Sequence, residues 1–435
     1  MTTAPIYTST FSMKILIISP SFPFRQGKAD SMTVFHMIEY LHQRGHEIIL
    51  ATFDNRERFS NGEREELKAM CQEVRVLPMK RWKKLFYMGR NFLLEKPFQV
   101  AYYWRPEMQQ VVDGLVEIHQ PDVLYAHLIR ASSYLEKYQQ IPRVVGMQIA
   151  QTLNYGRLIK HEKNRLRRIF YTQEYRRVKK YEPKVVKTFD RILLISPHDR
   201  KAVAPETHYN KIFFNPHGVD VAYYSEDQKL TRQKNVIAMN GDFGVPTNMD
   251  GAHFFYQEVY PLIKAEIPDA KLWLVGRNPH PSIQQLAQKD GSVTVTGRVS
   301  DIRPFLQQAT VGIAPMRVAA GLQNKILVSL ASQLPMVVTP IANEGIGAPV
   351  GKVLVEAQEP RVFANQVIQL LRNTEEREKI GGNALSFMQS YWTWDFHFQK
   401  LEEMLTGLIV DRNQPVENYY PFSTCLEEYG SGFGV

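Results

Sequence analysis

The sequence predicts an α/β protein made of two successive doubly wound domains, each a parallel sheet flanked by helices. Three observations carry this. Short apolar, β-branched runs alternate with helix-spaced segments along most of the chain, which is the pattern of βαβ units. The alternation pauses once, at residues 215–220 (NPHGVD), where Pro216 and Gly218 break local structure and a polar stretch runs on to Asn235. The length of 435 residues suits two to three domains.

In the first half, residues 14–20 (KILIISP) read as a buried strand. A glycine-bearing loop follows. Residues 31–44 then place Val34, Ile38 and Leu41 on one helical face, with Gly45 as the stop. Further strand signals are residues 46–53, 74–79, 122–126, 143–146 and 191–196. Beyond the pause they are 236–239, 271–275, 293–296, 311–314, 336–339 and 352–355, with helical segments at 250–264, 283–287, 302–307, 322–331 and 361–372. Residues 393–408 form a last amphipathic helix. The expected division is a tail at 1–12, a first domain at 13–218, a second at 219–392, a helix at 393–410 packing back on the first domain, and a glycine-bearing tail at 411–435.

Composition narrows the function classes. Apolar residues make 44% and charged residues 22%, which excludes wholesale disorder and a fibrous repeat. The net charge of +9 favours phosphates, nucleotides or an anionic membrane face without singling out nucleic acid. Cys71 and Cys425 stand alone, so neither a disulfide framework nor a zinc site is expected, and a cytoplasmic setting is. No apolar run is long enough to span a bilayer.

Phosphate-binding devices come next. There is no GxxxxGK[ST], and no GxGxxG follows the first strand. Gly345, Gly347 and Gly351 lack fingerprint spacing and read as a loop. After strand 311–314 comes PMRVAAGLQNK, with Gly321 at a helix start between Arg317 and Lys325. Free N–H groups at such a start favour an anion. Spacing alone allows an anion cradle or a solvated helix entry equally.

Residues 240–348 carry a longer pattern. It comprises Gly241, Asn248-Met249-Asp250, Phe254-Phe255, Val275-Gly276, Val295-Thr296-Gly297-Arg298-Val299 with Asp301 and Arg303-Pro304, Ala314-Pro315-Met316-Arg317 with Gly321 and Gln323-Asn324-Lys325, then Pro335 and Glu344-Gly345-Ile346. This resembles the donor domain of family 4 glycosyltransferases, especially the exopolysaccharide-associated sugar transferases. The resemblance implies the GT-B fold of two facing Rossmann-like domains. It also implies transfer of a sugar from a nucleotide-sugar donor to a lipid-linked or polysaccharide acceptor, with retention and without a metal or other cofactor. By the same resemblance Arg317, Gly321, Lys325 and Gly27 meet the diphosphate. Gly276, Arg298 and Val299 meet the nucleotide base, Glu344 and Gly345 flank the donor sugar, and His127, at the end of a strand, faces the transferred sugar. Read alone, His127 also fits a hydrogen-bonded loop histidine.

Two departures stand out. The family's Glu-x7-Glu positions are Ala320 and Val328 here, and the missing ribose contact costs about 1.5–3 kcal/mol of donor affinity. The alternative reading is a catalytically weakened, transferase-like partner protein. On the acceptor side, residues 80–94 are basic and aromatic, and residues 160–187 hold a second basic run. Together they suit peripheral contact with an anionic membrane at its inner face.

Overall fold

The computed structural model describes residues 11–25, 29–54, 61–79, 96–162, 164–196, 199–226, 230–318 and 322–412. The chain folds as two compact units. One runs to His217 and resumes at His397; the other is Gly218–Phe396. Among the described residues no helix is long and apolar enough to cross a membrane.

The first unit holds a seven-stranded parallel sheet in the order β3-β2-β1-β4-β5-β6-β7. The strands are β1 Lys14–Ser19, β2 Glu47–Asp54, β3 Glu73–Pro78, β4 Val123–His127, β5 Arg143–Gln148, β6 Arg191–Leu194 and β7 Ile212–Phe214. Ile15 pairs with Ile48 on one side and Val123 on the other. β1, β4 and β5 are buried almost end to end, which explains their unbroken apolar runs. Strand order reverses between β1 and β4, so a crevice opens at their carboxyl ends. The helices are α1 Ala29–Gln43, α2 Asn61–Met70, α3 Phe98–Tyr103, α4 Pro106–His119, α5 Gln151–His161 and α6 Arg165–Thr188.

Two buried carboxylates on α6 start other helices. Glu174 accepts from Phe98 N–H at 2.6 Å at the head of α3. Glu182 accepts from Gln151 N–H at 2.6 Å and the Thr152 hydroxyl at 2.5 Å at the head of α5. These bonds satisfy orphan helix donors and account for two fully buried acids.

The second unit is a six-stranded parallel sheet, β10-β9-β8-β11-β12-β13. Its strands are β8 Val236–Asn240, β9 Lys271–Val275, β10 Val293–Gly297, β11 Val311–Ala314, β12 Met336–Val338 and β13 Val355–Glu356. Here the order reverses between β8 and β11. The helices are α7 Pro246–Phe254, continued by a π turn Phe255–Val259 into α8 Tyr260–Glu266, then α9 Pro281–Lys289, α10 Arg303–Gln308, α11 Asn324–Ala331, α12 Pro360–Arg372 and α13 Thr374–Tyr391. The final helix α14 is Trp394–Val410.

From His397 onward α14 belongs to the first unit. Glu402 anchors it there, accepting from Tyr40 Oη at 3.1 Å, Arg44 Nε at 3.2 Å and His46 Nε2 at 3.0 Å. His46 Nδ1 in turn accepts from Met13 N–H at 3.2 Å, so the staple reaches the start of β1.

Some elements differ from expectation. Of residues 352–355 only Val355 joins the sheet, because Gly351 at φ 76° turns the chain, Leu354 bridges back to Val350, and Val353 and Leu354 serve the core. The short β7 and the helix α13 carry weak periodic signals. Inside α13 sits Gly381, where a Cβ would stand 2.6 Å from the Gln333 carbonyl oxygen.

Candidate functional site

The second unit collects its polar groups at the carboxyl ends of β8, β9 and β11. The loops after β8 and β9 touch through backbone: a Cβ on Gly276 (φ 154°) would lie 1.7 Å from the Gly241 oxygen. Only glycine fits there. Asp242, next along, accepts from Gly244 N–H at 3.0 Å, Arg277 Nε at 2.9 Å and Asn278 Nδ2 at 3.2 Å. Burial opposes its charge, yet these donors hold its carboxyl below the ordinary range.

Two cations follow β11. Lys325 lies in the first turn of α11, its ammonium 2.5 Å from Asn248 Oδ1 and 2.9 Å from Met316 Sδ. Among the described residues no carboxylate pairs with it. Burial pulls its pKa down from 10.5 to about 8. Its backbone oxygen accepts from Asn240 Nδ2 at 3.1 Å, tying α11 to the end of β8.

Arg317 is different. Its side chain is 50% exposed. It makes a two-pronged bond to Asp250, with Nε 3.0 Å from Oδ2 and Nη2 on Oδ1. The guanidinium also packs over the Phe254 ring at 5.2 Å. The Asp250 bond raises its pKa, against some burial. Arg317 lines a pocket of about 380 Å³ with Phe254, Glu258, Met316 and Thr339. Lys325 is not part of that lining; Met316 touches both. So α7 holds both cations from one turn, Lys325 through Asn248 and Arg317 through Asp250. The Asp250 role was missed in the sequence, though Asn248-Met249-Asp250 was visible as a motif.

The remaining expected residues are spread along the same edge. Arg298 is exposed and Val299 half-buried after β10, beside Gly297 at φ 67°. Glu344 is exposed and Gly345 buried. Asn343 pins that loop, with Nδ2 donating to the Ala348 oxygen and its Oδ1 accepting from Ala348 N–H, both at 2.9 Å. Val328 is half-buried against the core of this unit. Gly27, Gly321, Ala320 and the basic residues 80–94 lie outside the described residues.

In the first unit, His127 closes β4 and is 1% exposed. Its Nδ1 lies 3.4 Å from Tyr125 Oη, and its buried Nε2 has no hydrogen-bond partner. Burial holds the ring neutral, down to about 3, against the pull of Asp30. Asp30 itself accepts from Arg130 Nη2 at 3.0 Å. His217, buried and held to about 4, meets Thr33 Oγ1 at 2.8 Å.

Two doubly wound units with polar groups gathered at the strand carboxyl ends define the GT-B class of architecture. Comparison agrees. The chain superimposes on a glycosyltransferase from Rickettsia africae ESF-5 with a TM-score of 0.62, 13% identity, and coverage of 92% of this chain and 99% of that one. It superimposes on Anabaena HepE in complex with UDP with a TM-score of 0.61, 13% identity, and coverage of 91% and 100%. A Klebsiella pneumoniae protein described as an uncharacterized 44.6 kDa protein in the cps region is 22% identical over 392 residues, 86% of this chain and 95% of that one. Residues 234–373 match the family model described as glycosyl transferases group 1.

Proposed function

We propose that this protein is a retaining glycosyltransferase of surface-polysaccharide assembly, moving a sugar from a nucleotide-sugar to a lipid-linked or polysaccharide acceptor. The observation that carries the reading is Lys325. It is a desolvated ammonium at a helix start, at the strand-order reversal, held by an amide and a thioether instead of a carboxylate. An anion is its natural counter-charge.

Breaking a sugar–diphosphate bond leaves negative charge on the departing phosphate. Lys325 and the N–H groups opening α11 stabilise that charge without a metal ion. Arg317 joins them by exchanging Asp250 for phosphate. The exchange costs little, because an exposed ion pair contributes about 0–1 kcal/mol. The family resemblance assigns Gly27 and Gly321 to the diphosphate as well. The close-packed Gly241–Gly276 turn, with Arg298 and Val299, receives the base, and Glu344 and Gly345 flank the donor sugar. The first unit supplies His127 to the transferred sugar. HepE, a structural neighbour, is described in complex with UDP, which favours a uridine nucleotide.

The protein works at the inner face of the membrane. On α5 and α6, Leu158, Leu166, Ile169 and Phe170 are exposed beside Arg165, Arg167, Arg168 and Arg176. Between residues 157 and 187 twelve Lys and Arg face three carboxylates, and two of those, Glu174 and Glu182, are buried as caps. Such a face suits anionic headgroups with apolar side chains entering the bilayer.

Val328 supports a second reading, a transferase-like partner protein, because an aliphatic side chain stands where the family binds ribose. A thermal-shift screen against UDP- and GDP-sugars separates the two. A transferase is stabilised by about 2.7 kcal/mol when ligand reaches a hundred times Kd. A chain whose melting temperature moves with none of them is the partner protein.

A further inference from the structure

One face of α6 carries charge with nothing set against it. Arg165, Arg168, Ile169, Thr172, Gln173 and Arg176 recur at helical spacing and line a groove of about 470 Å³. Lys179 continues the stripe three residues beyond Arg176. Among the described residues no carboxylate pairs with Arg165, Arg168 or Arg176, whereas Arg177 does pair, with Glu174 at 3.1 Å. Glu174 and Glu182 are buried and spent on the starts of α3 and α5. Beside the stripe Leu166 is 78% exposed, Ile169 61% and Phe170 42%. A cationic groove with apolar flanks and no counter-charge of its own fits an occupant that is both acidic and apolar.

The chain contains such a segment. Residues 413–435, which lie outside the described residues, hold Glu417, Glu427 and Glu428 and neither Lys nor Arg. They also hold Tyr419, Tyr420, Phe422, Tyr429 and Phe433. The segment starts beside the end of α6. The Arg412 oxygen accepts from Arg191 Nη1 at 3.4 Å, and Arg191 comes three residues after Thr188, where α6 stops. Arg412 Nη1 also donates to the Gln139 oxygen at 2.9 Å, which fixes the exit. From Thr188, Lys179 lies about 14 Å back along the helix and Arg168 about 30 Å. Glu417, five residues past Arg412, reaches up to about 17 Å, and Glu427, fifteen past, up to about 50 Å. The acids therefore come within reach of the two ends of the stripe in turn. The tether also sets a local concentration on the order of millimolar, so a weak contact suffices.

We propose that residues 413–435 bind along the α6 stripe, Glu417 toward Lys179 and Glu427-Glu428 toward Arg165 and Arg168, with aromatic rings on Leu166, Ile169 and Phe170. The bound segment covers the face that otherwise meets anionic lipid, so it gates membrane contact. The docking stands on this helix and this segment alone; only the gating rests on the membrane reading above.

The test uses the full-length chain with Cys71→Ser and Gln173→Cys, spin-labelled at Cys425 and at position 173. Double electron–electron resonance should give a narrow distance distribution below about 25 Å, where an undocked segment gives a broad one near about 35 Å. Adding Glu417→Gln, Glu427→Gln and Glu428→Gln together, or Arg165→Gln with Arg168→Gln, should broaden it while Tm stays within about a degree. Salt at about 1 M should do the same to the distance. Without labels, the triple Glu→Gln chain should float with phosphatidylserine-containing vesicles at least about tenfold better than the wild type. A broad distribution in the starting chain, or a narrow one that survives both sets of changes, overturns the proposal. So does a short distance that vanishes on dilution with unlabelled chain, because the segment then sits on a second copy. Equal flotation of the wild type and the triple variant overturns the gating. If neither floats and the short distance holds, the membrane reading fails and the docking stands.

Discussion

Lys325→Met is expected to stabilise the free protein and to abolish its response to nucleotide. In the folded chain Lys325 titrates near 8, against 10.5 for an ordinary lysine. At about 1.36 kcal/mol per pH unit, holding it charged at pH 7 costs about 3 kcal/mol. The folded pKa lies below the unfolded one, so the unfolded chain binds more protons between pH 8 and 10.5. Stability therefore rises with pH across that window, and the cost is fully present below pH 8. Methionine removes the cost but leaves Asn248 Oδ1 without its donor, about 1–2 kcal/mol the other way. The net gain at pH 7 is about 1–2 kcal/mol, or roughly 2–8 °C in Tm. Calorimetry at pH 7 and pH 10, with and without UDP, reads every part. The wild type should gain stability toward pH 10 and on adding UDP; Lys325→Met should start higher and do neither. A variant that melts earlier and still responds to UDP would show that Lys325 is a structural lysine.

Three further outcomes are expected. Glu402→Ala removes the acceptor shared by Tyr40, Arg44 and His46 and should cost about 3–5 kcal/mol, read as earlier proteolysis near α14; unchanged digestion would contradict the staple. His127, His217 and His397 have folded pKa values of about 3, 4 and 3, below the ordinary 6.5, through burial. The unfolded chain binds more protons below pH 6.5, so the first unit loses stability as pH falls, and hydrogen exchange should show β1 and β4 losing protection before β8 and β11. The opposite order would contradict it. The double change Leu166→Glu and Ile169→Glu, at exposed positions, should reduce flotation with phosphatidylserine-containing vesicles at least tenfold while leaving Tm within a degree or two. Equal flotation would place the membrane contact elsewhere.

The parallel sheets were legible because their strands are buried on both faces and spell unbroken apolar runs. Elements that depend on a neighbour were not. β7 is three residues long, and α13 carries Gly381 because the Gln333 carbonyl packs there. At the site, PMRVAAGLQNK announced a cationic helix entry, and the structure shows two cations with unlike partners. What divides them is Asn248 against Asp250, two residues of one helix turn whose targets lie 77 and 67 positions away. No local spacing encodes that choice.

The claim under all of this is that the chain cleaves the bond between a sugar and a nucleoside diphosphate and hands the sugar on. The direct measurement is proton and phosphorus NMR of purified full-length protein with UDP-sugars and a lipid-linked or oligosaccharide acceptor. The account predicts stoichiometric release of nucleoside diphosphate and a product with the donor's anomeric configuration, both lost in Lys325→Met. Donors that stay intact with every acceptor, or a product of inverted configuration, would contradict it.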